Sequence, residues 1–249
     1  MCMDSKMTTP GKRKPLRFLT TSMARGLFLS LALAGLSAQP AVAQDIAQLS
    51  PASQKLADWV VDSADNHQRP FLIVDKTQAR VFVFDAHGQL RGAAPALLGL
   101  AVGDDSVPGI GERKLSSIRP EERTTPAGRF VASLDRNLHG DEILWVDYDA
   151  AISLHRVVTS QPKERRAERL ATPTPLDNRI SYGCINVPAP FYDNVVSPAF
   201  TGTDGIVYVL PETRSAREVF GSYDVGEHPR PQAPGQAAPA SVPLYTASQ

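Results

Sequence analysis

The chain has 249 residues, 42% of them apolar, with 26 basic and 26 acidic side chains, five histidines and two cysteines. That length suits one globular domain with extensions, and the balanced charge leaves no basic face for a polyphosphate, which excludes nucleic acid as an expected partner. The histidines (His67, His87, His139, His155 and His228) are scattered without metal-ligand spacing, so neither a metal site nor a cofactor is expected.

Residues 1–43 read as a secretory signal. Lys12, Arg13, Lys14, Arg17 and Arg25 precede an apolar run from Gly26 to Leu36, and Ala41-Val42-Ala43 offers small residues at the cleavage positions. The run is too short to span a bilayer, so no permanent membrane anchor is expected. The reading implies an exported protein, periplasmic or associated with the cell wall, while Met1, Met3, Met7 and Met23 leave the start open. The leader holds six of the 26 basic and one of the 26 acidic residues, so the remainder carries a net charge of −5. It also holds Cys2. Its removal leaves Cys184 with no intramolecular partner in an oxidising compartment, where an unpaired thiol needs another explanation.

The segment 44–69 is assigned to an N-terminal helix running from Ser50 to about Asn66. Ser50 is a suitable N-cap, Pro51 fits the first turn, and Leu56, Trp59, Val60 and Ser63 share a face. Phe71–Asp75 and Ala79–Asp85 are β-branched and aromatic runs closed by turn residues, the pattern of a hairpin. Residues 93–102 continue the meander or turn helical. Residues 103–124, rich in glycine, proline and charge, predict a long exposed loop. Strands follow from Thr124 through Leu134 and over Glu142–Tyr148, Ala151–Val158 and Gly205–Leu210, with a short helix after Pro188 through Asn194. The charged stretch Ser160–Arg179 reads as an insert that forms a lid or docking surface, or as a solvated excursion. Residues 213–249, poor in large apolar side chains beyond Asp224, are assigned to a disordered tail. The sum is a mainly β domain over residues 70–212, a sandwich or barrel of short strands with one or two helices.

Cys184 sits in Ile180-Ser181-Tyr182-Gly183-Cys184-Ile185-Asn186-Val187, a setting that presents a thiol. A cysteine attacks carbonyl carbon as the thiolate, and Gly183 beside it allows backbone amides to approach. A base or ion-pair partner must come from elsewhere in the chain. His155, at the end of the Ile152–Val158 strand, is the first candidate. His139, in turn chemistry before a strand, is the second. A buried inert thiol, or a disulfide-linked dimer through Cys184, are the alternatives.

Ser181-Tyr182-Gly183-Cys184-Ile185-Asn186 resembles the serine/threonine-x-glycine-cysteine-hydrophobic-asparagine/arginine signature of the L,D-transpeptidase (YkuD-like) catalytic domain. His155 resembles that family's upstream histidine, Phe71–Phe84 its opening hairpin, and Thr125-Pro126-Ala127-Gly128-Arg129-Phe130 its threonine-proline-x-glycine-x-aromatic turn. The resemblance covers residues 70–211 and implies a β-sandwich or barrel of that kind, with no cofactor and peptidoglycan stem peptides as partners. It implies that Cys184 attacks a stem peptide to form a thioester and that His155 serves as base or ion-pair partner. The N–H groups of Gly183 and Cys184 would then stabilise the oxyanion, and the backbone carbonyl of Arg156 would orient the histidine. Ser181 and Asn186 would fix the loop, Tyr182 would line the donor pocket, and Arg129 and Arg179 are candidates to hold a substrate carboxylate. Arg156 stands where many members have glycine, and Tyr182 where several have histidine. The acceptor, an amine (transpeptidation) or water (carboxypeptidase or endopeptidase action), is left open, as is a non-catalytic peptidoglycan-binding module.

Overall fold

The structure, a computed structural model, describes residues 49–227. The expected signal segment with Cys2, and residues 228–249 of the expected tail, lie outside the described residues. Eight strands form one sheet in the order β3 (Leu90–Pro95), β2 (Arg80–Phe84), β1 (Phe71–Asp75), β10 (Gly205–Val209), β5 (Gly128–Arg136), β6 (Glu142–Asp147), β7 (Ile152–Arg156), β9 (Ile185–Val187). Neighbours run antiparallel except at β1–β10 and β7–β9, which are parallel. The sheet nearly closes on itself. Just beyond β3, Leu97 exchanges both backbone hydrogen bonds with Asn186 of β9, at 2.8 and 2.9 Å. Two further strands, β4 (Leu98–Gly99) and β8 (Arg179–Ser181), pair in parallel alongside that seam.

Strands β1, β2 and β10 are apolar over nearly all of their length because both faces are covered. Leu72, Val74, Val81, Val83, Val207 and Val209 point into the curved sheet with Leu144, Leu154, Ile185 and Val187. Their alternating partners Phe71, Ile73, Phe82, Phe84, Ile206 and Tyr208 point outward, under α1 (Pro51–Ser63). Each large side chain fully buried this way contributes about 1.5–3 kcal/mol. Helix α1 begins as its sequence requires: the Ser50 hydroxyl accepts the Ser53 N–H at 3.1 Å, and Pro51 takes the first turn. It packs Leu56, Trp59 and Val60 on the sheet.

Residues 93–102, open between a continued meander and a helix, are extended, with β3 pairing antiparallel to β2 and β4 following it. Three sequence-based assignments are corrected by the structure. Residues 103–124 are tied down by three 3-10 turns, with Asp104, Ile110, Ile118 and Glu122 buried. The reason is a charge buried at the loop's start, where Lys76 donates to Asp104 at 2.8 Å and to the Thr125 carbonyl at 3.1 Å. The helical segment after Pro188 runs on to Phe200 through a π turn over Tyr192–Val196. The boundary at 212 also falls short: Ala216–Phe220 is helical, and Phe220, Tyr223 and Val225 pack against the α1 side of the sheet. The fold is mainly β, with more helix than the one or two short segments expected. Among the described residues, no helix is long and apolar enough to cross a membrane.

Candidate active site

Strands β7 and β9 lie side by side in parallel, with Leu154 opposite Ile185 and His155 opposite Asn186. Alternation along β7 turns Ser153 and His155 to the same face. Cys184 immediately precedes β9, and its thiol joins them on one cleft of about 310 Å³. The Cys184 Sγ lies 3.7 Å from Ser153 Oγ and 3.7 Å from the Ala151 carbonyl, and it shares the cleft with the His155 ring, to which it is electrostatically coupled. His155 Nδ1 meets the Arg156 carbonyl at 2.8 Å. A carbonyl only accepts, so Nδ1 carries the proton and Nε2 is left for the thiol.

The electrostatics follow from this pairing. Burial pushes the Cys184 thiol up, but the hydrogen bond and charge of His155, with help from Ser153, outweigh it and bring the group down to about 7. Burial opposes protonation of His155, while its bond to Cys184, the negative charge there and the Arg156 carbonyl outweigh that, so its pKa is raised above 6.5. Both shifts, the thiol down to about 7 and the imidazole upward, favour a thiolate–imidazolium pair.

The loop that carries the thiol is held on several sides. Ser181 donates its hydroxyl to the Cys184 carbonyl at 2.6 Å and accepts the Gly183 N–H at 3.0 Å. Asn186, almost fully buried, donates to the same Cys184 carbonyl at 3.2 Å. Gly183 adopts φ +128°, and a Cβ there would stand 2.6 Å from Ile152 Cδ1 and 2.8 Å from the Thr124 carbonyl, so only glycine fits. Thr125, from the Thr-Pro turn, donates its hydroxyl to the Gly183 carbonyl at 2.8 Å and accepts the Gly99 N–H at 2.9 Å. The turn before β5 is thereby bolted to the cysteine loop.

Cys184, His155, Ser181, Asn186 and Arg156 are thus brought together, Arg156 both through its carbonyl and as part of the cleft wall, where its guanidinium is held by Asp193 at 2.7 Å. Others are not. The Gly183 N–H is committed to Ser181, which removes one of the two expected oxyanion donors. Tyr182 turns away from the cleft lining and carries the Arg123 guanidinium over its ring at 3.9 Å. Arg129 is bound to Asp65 at 2.6 Å beside α1, and Arg179 to Glu212 and the Lys76 carbonyl, so neither is available for a substrate carboxylate here. His139 lines the far rim of the cleft, with no hydrogen bond to Cys184. No residue of the insert 160–179 lines the cleft, which argues against a lid; its helix α2 (Arg166–Ala171) instead packs beside β9 and reaches Asn186 through Arg166 at 2.8 Å.

Sequence reasoning missed Ser153, Thr125 and Arg166. Ser153 was open to it, since it lies two residues before His155 on a strand and so shares its face. Thr125 lay within a quoted motif, but its bonds to Gly183 and Gly99 span long sequence separations. Nothing in the sequence pairs Arg166 with Asn186. Among the described residues, no group of three or more His, Cys, Asp or Glu side chains converges to hold a metal.

No family model and no curated relative matches the chain. Among solved structures, the L,D-transpeptidase LdtMt1 in complex with imipenem matches at 17% identity and TM-score 0.34, over 57% of this chain and 58% of that one. An L,D-transpeptidase from Xylanimonas cellulosilytica matches at 15% identity and TM-score 0.36, over 57% and 60%. The helical cell shape determining protein Pgp2 from Campylobacter jejuni matches at 16% identity and TM-score 0.38, over 59% and 49%. This chain therefore spans less than two thirds of the length of each. At these values the likeness is one of outline and says nothing about individual residues.

Proposed function

We propose that the protein is an exported cysteine acyltransferase acting on peptidoglycan stem peptides, an L,D-transpeptidase. The observation that supports this most is the Cys184–His155 pair on an open cleft, with the ring tautomer set by the Arg156 carbonyl. The Cys184 thiolate attacks the carbonyl carbon between the L-centre and the following D-residue. The C–N bond breaks, the His155 imidazolium gives its proton to the departing amine, and D-alanine leaves. An amine of a second stem peptide then gives its proton to His155 as it displaces the sulfur, closing a new amide and restoring the thiol pair. With Gly183 committed to Ser181, the Cys184 N–H is the donor of the two left for the oxyanion.

The test is to incubate residues 44–249 with a stem tetrapeptide, with and without a second stem carrying a free amine, and follow the products by mass spectrometry. D-alanine release with a cross-linked dimer supports the transpeptidase. Release of D-alanine with only the tripeptide acid, when the amine is present, replaces transfer by hydrolysis. Release of nothing by the folded, reduced protein would leave a peptidoglycan-binding module and overturn the catalytic reading.

A further inference from the structure

The insert 160–179 has no part in the scheme above, yet it places one cation against the cysteine loop. Arg166 opens helix α2 with its guanidinium largely buried, Nε on Glu164 at 2.6 Å and NH1 on the Asn186 side-chain oxygen at 2.8 Å. An amide held by its oxygen presents its nitrogen on the other side. That nitrogen donates to the Cys184 carbonyl at 3.2 Å, the carbonyl Ser181 also grips. Without Arg166, the Asn186 oxygen would be a buried acceptor with no partner, which is unfavourable and frees the amide to flip.

We infer that Arg166 is a positioning residue: it fixes the orientation of Asn186, and through it holds the Cys184 peptide so that the thiol stays on His155. This rests on the reading of Cys184 as the nucleophile. The insert is then a strap that braces the nucleophile loop from behind. The Arg166 charge itself opposes His155 protonation, though burial is the larger influence on that ring, so its support of the pair runs through the Asn186 hydrogen bond and not through its charge. The other charged groups around His155 are Cys184 itself and the Arg156 guanidinium, which Asp193 and Glu142 neutralise.

The experiment measures alkylation of Cys184 by iodoacetamide at pH 7 in full-length folded protein, for the parent, R166A, R166K, N186A and R166A/N186A. Release of the thiol from about 7 to the free-cysteine value of about 8.5 would lower the thiolate fraction at pH 7 by about fifteen-fold, which is the ceiling. R166A is expected to slow alkylation several-fold within that ceiling, and N186A by a similar factor. The double variant should be no slower than the slower single, because one acts through the other. R166K, whose ammonium can donate to the same Asn186 oxygen, should recover most of the rate, which a loss of general packing would not allow. Parent-like alkylation in R166A, effects that multiply in the double variant, or no recovery in R166K would each overturn the inference. If R166A does not fold, R166M, which keeps the stem's packing and loses the donor to Asn186, carries the same test: it should be slow, and a parent-like R166M would overturn the inference. Failure of the nucleophile reading looks different, since the parent would alkylate readily yet take no acyl group from a stem peptide.

Discussion

His155 donates its Nδ1–H to the carbonyl of its own neighbour Arg156 at 2.8 Å, and this leaves Nε2 as the ring nitrogen that can exchange a proton with Cys184 on the same cleft. The carbonyl is a backbone group, so the orientation does not depend on which side chain stands at position 156. The arginine side chain goes instead to Asp193, Glu142 and the face of Tyr192, 4.2 Å from the ring centroid.

The pair makes reactivity depend on pH in a defined sense. Thiolate is gained as pH rises through about 7, and imidazolium is lost as pH rises through the raised value of His155. Alkylation of the parent by iodoacetamide is therefore expected to reach its half-maximum near pH 7, and acylation to fall again at higher pH. In His155→Ala the alkylation midpoint should move up into the ordinary thiol range, and acylation should slow by about 10²–10⁴-fold. An unchanged midpoint would show that the thiol owes nothing to His155.

Gly183→Ala places a Cβ against the Thr124 carbonyl and Ile152 at a φ of +128°. The cost is expected to be about 1–3 kcal/mol in stability from the strained backbone alone. Alkylation of Cys184 should slow with it, because the same peptide carries the thiol. Denaturant unfolding and the alkylation rate check the two effects separately.

Thr125→Val keeps the shape of a fully buried side chain and removes both of its hydrogen bonds, to the Gly183 carbonyl and from the Gly99 N–H. The two backbone groups left without partners make this destabilising by about 1–3 kcal/mol. Thr125→Ser, which keeps the hydroxyl, should retain most of the stability. Equal loss in both variants would point to packing and not to hydrogen bonding.

Lys76 and Asp104 form a fully buried ion pair that anchors the start of the 103–124 loop. Burial pushes the Asp104 carboxyl up, but Lys76, Thr213 and the N–H groups of Glu212 and Thr213 outweigh it and hold it well below the usual range. Its contribution to stability is complete above the unfolded value of about 3.9 and is lost as pH falls below that towards the depressed folded value. Lys76→Met alone should cost about 3–5 kcal/mol by leaving the buried carboxylate without its cation, and Lys76→Met with Asp104→Leu should cost less, the remaining loss being the donors of Glu212, Thr213 and Arg214 left without their acceptor. Urea titrations at pH 7 and pH 3 distinguish these outcomes.

What the sequence disclosed follows the reach of its signals. The alternation of β1 and β2, the cap at Ser50 and the run around Cys184 are local patterns, and each points to its element. The contacts that sequence reasoning misassigned join residues far apart in the chain: Arg129 with Asp65, Arg179 with Glu212, Lys76 with Asp104. A charged side chain reads the same whether it faces solvent or a partner brought in by the fold, so Arg129 and Arg179 read as ligand-binding cations and 103–124 as a loose loop. The Gly183 N–H was misassigned for a smaller reason: the Ser181 hydroxyl two residues away competes for it, a turn contact that the motif alone does not reveal.

The most direct test of the central claim is intact-protein mass spectrometry of the folded, reduced protein after incubation with a carbapenem, beside Cys184→Ala. An adduct of one carbapenem on the parent and none on the variant is the predicted result, and it identifies Cys184 as an acylatable nucleophile. An adduct that persists in Cys184→Ala, or a parent that takes none while its thiol alkylates freely, would contradict the account.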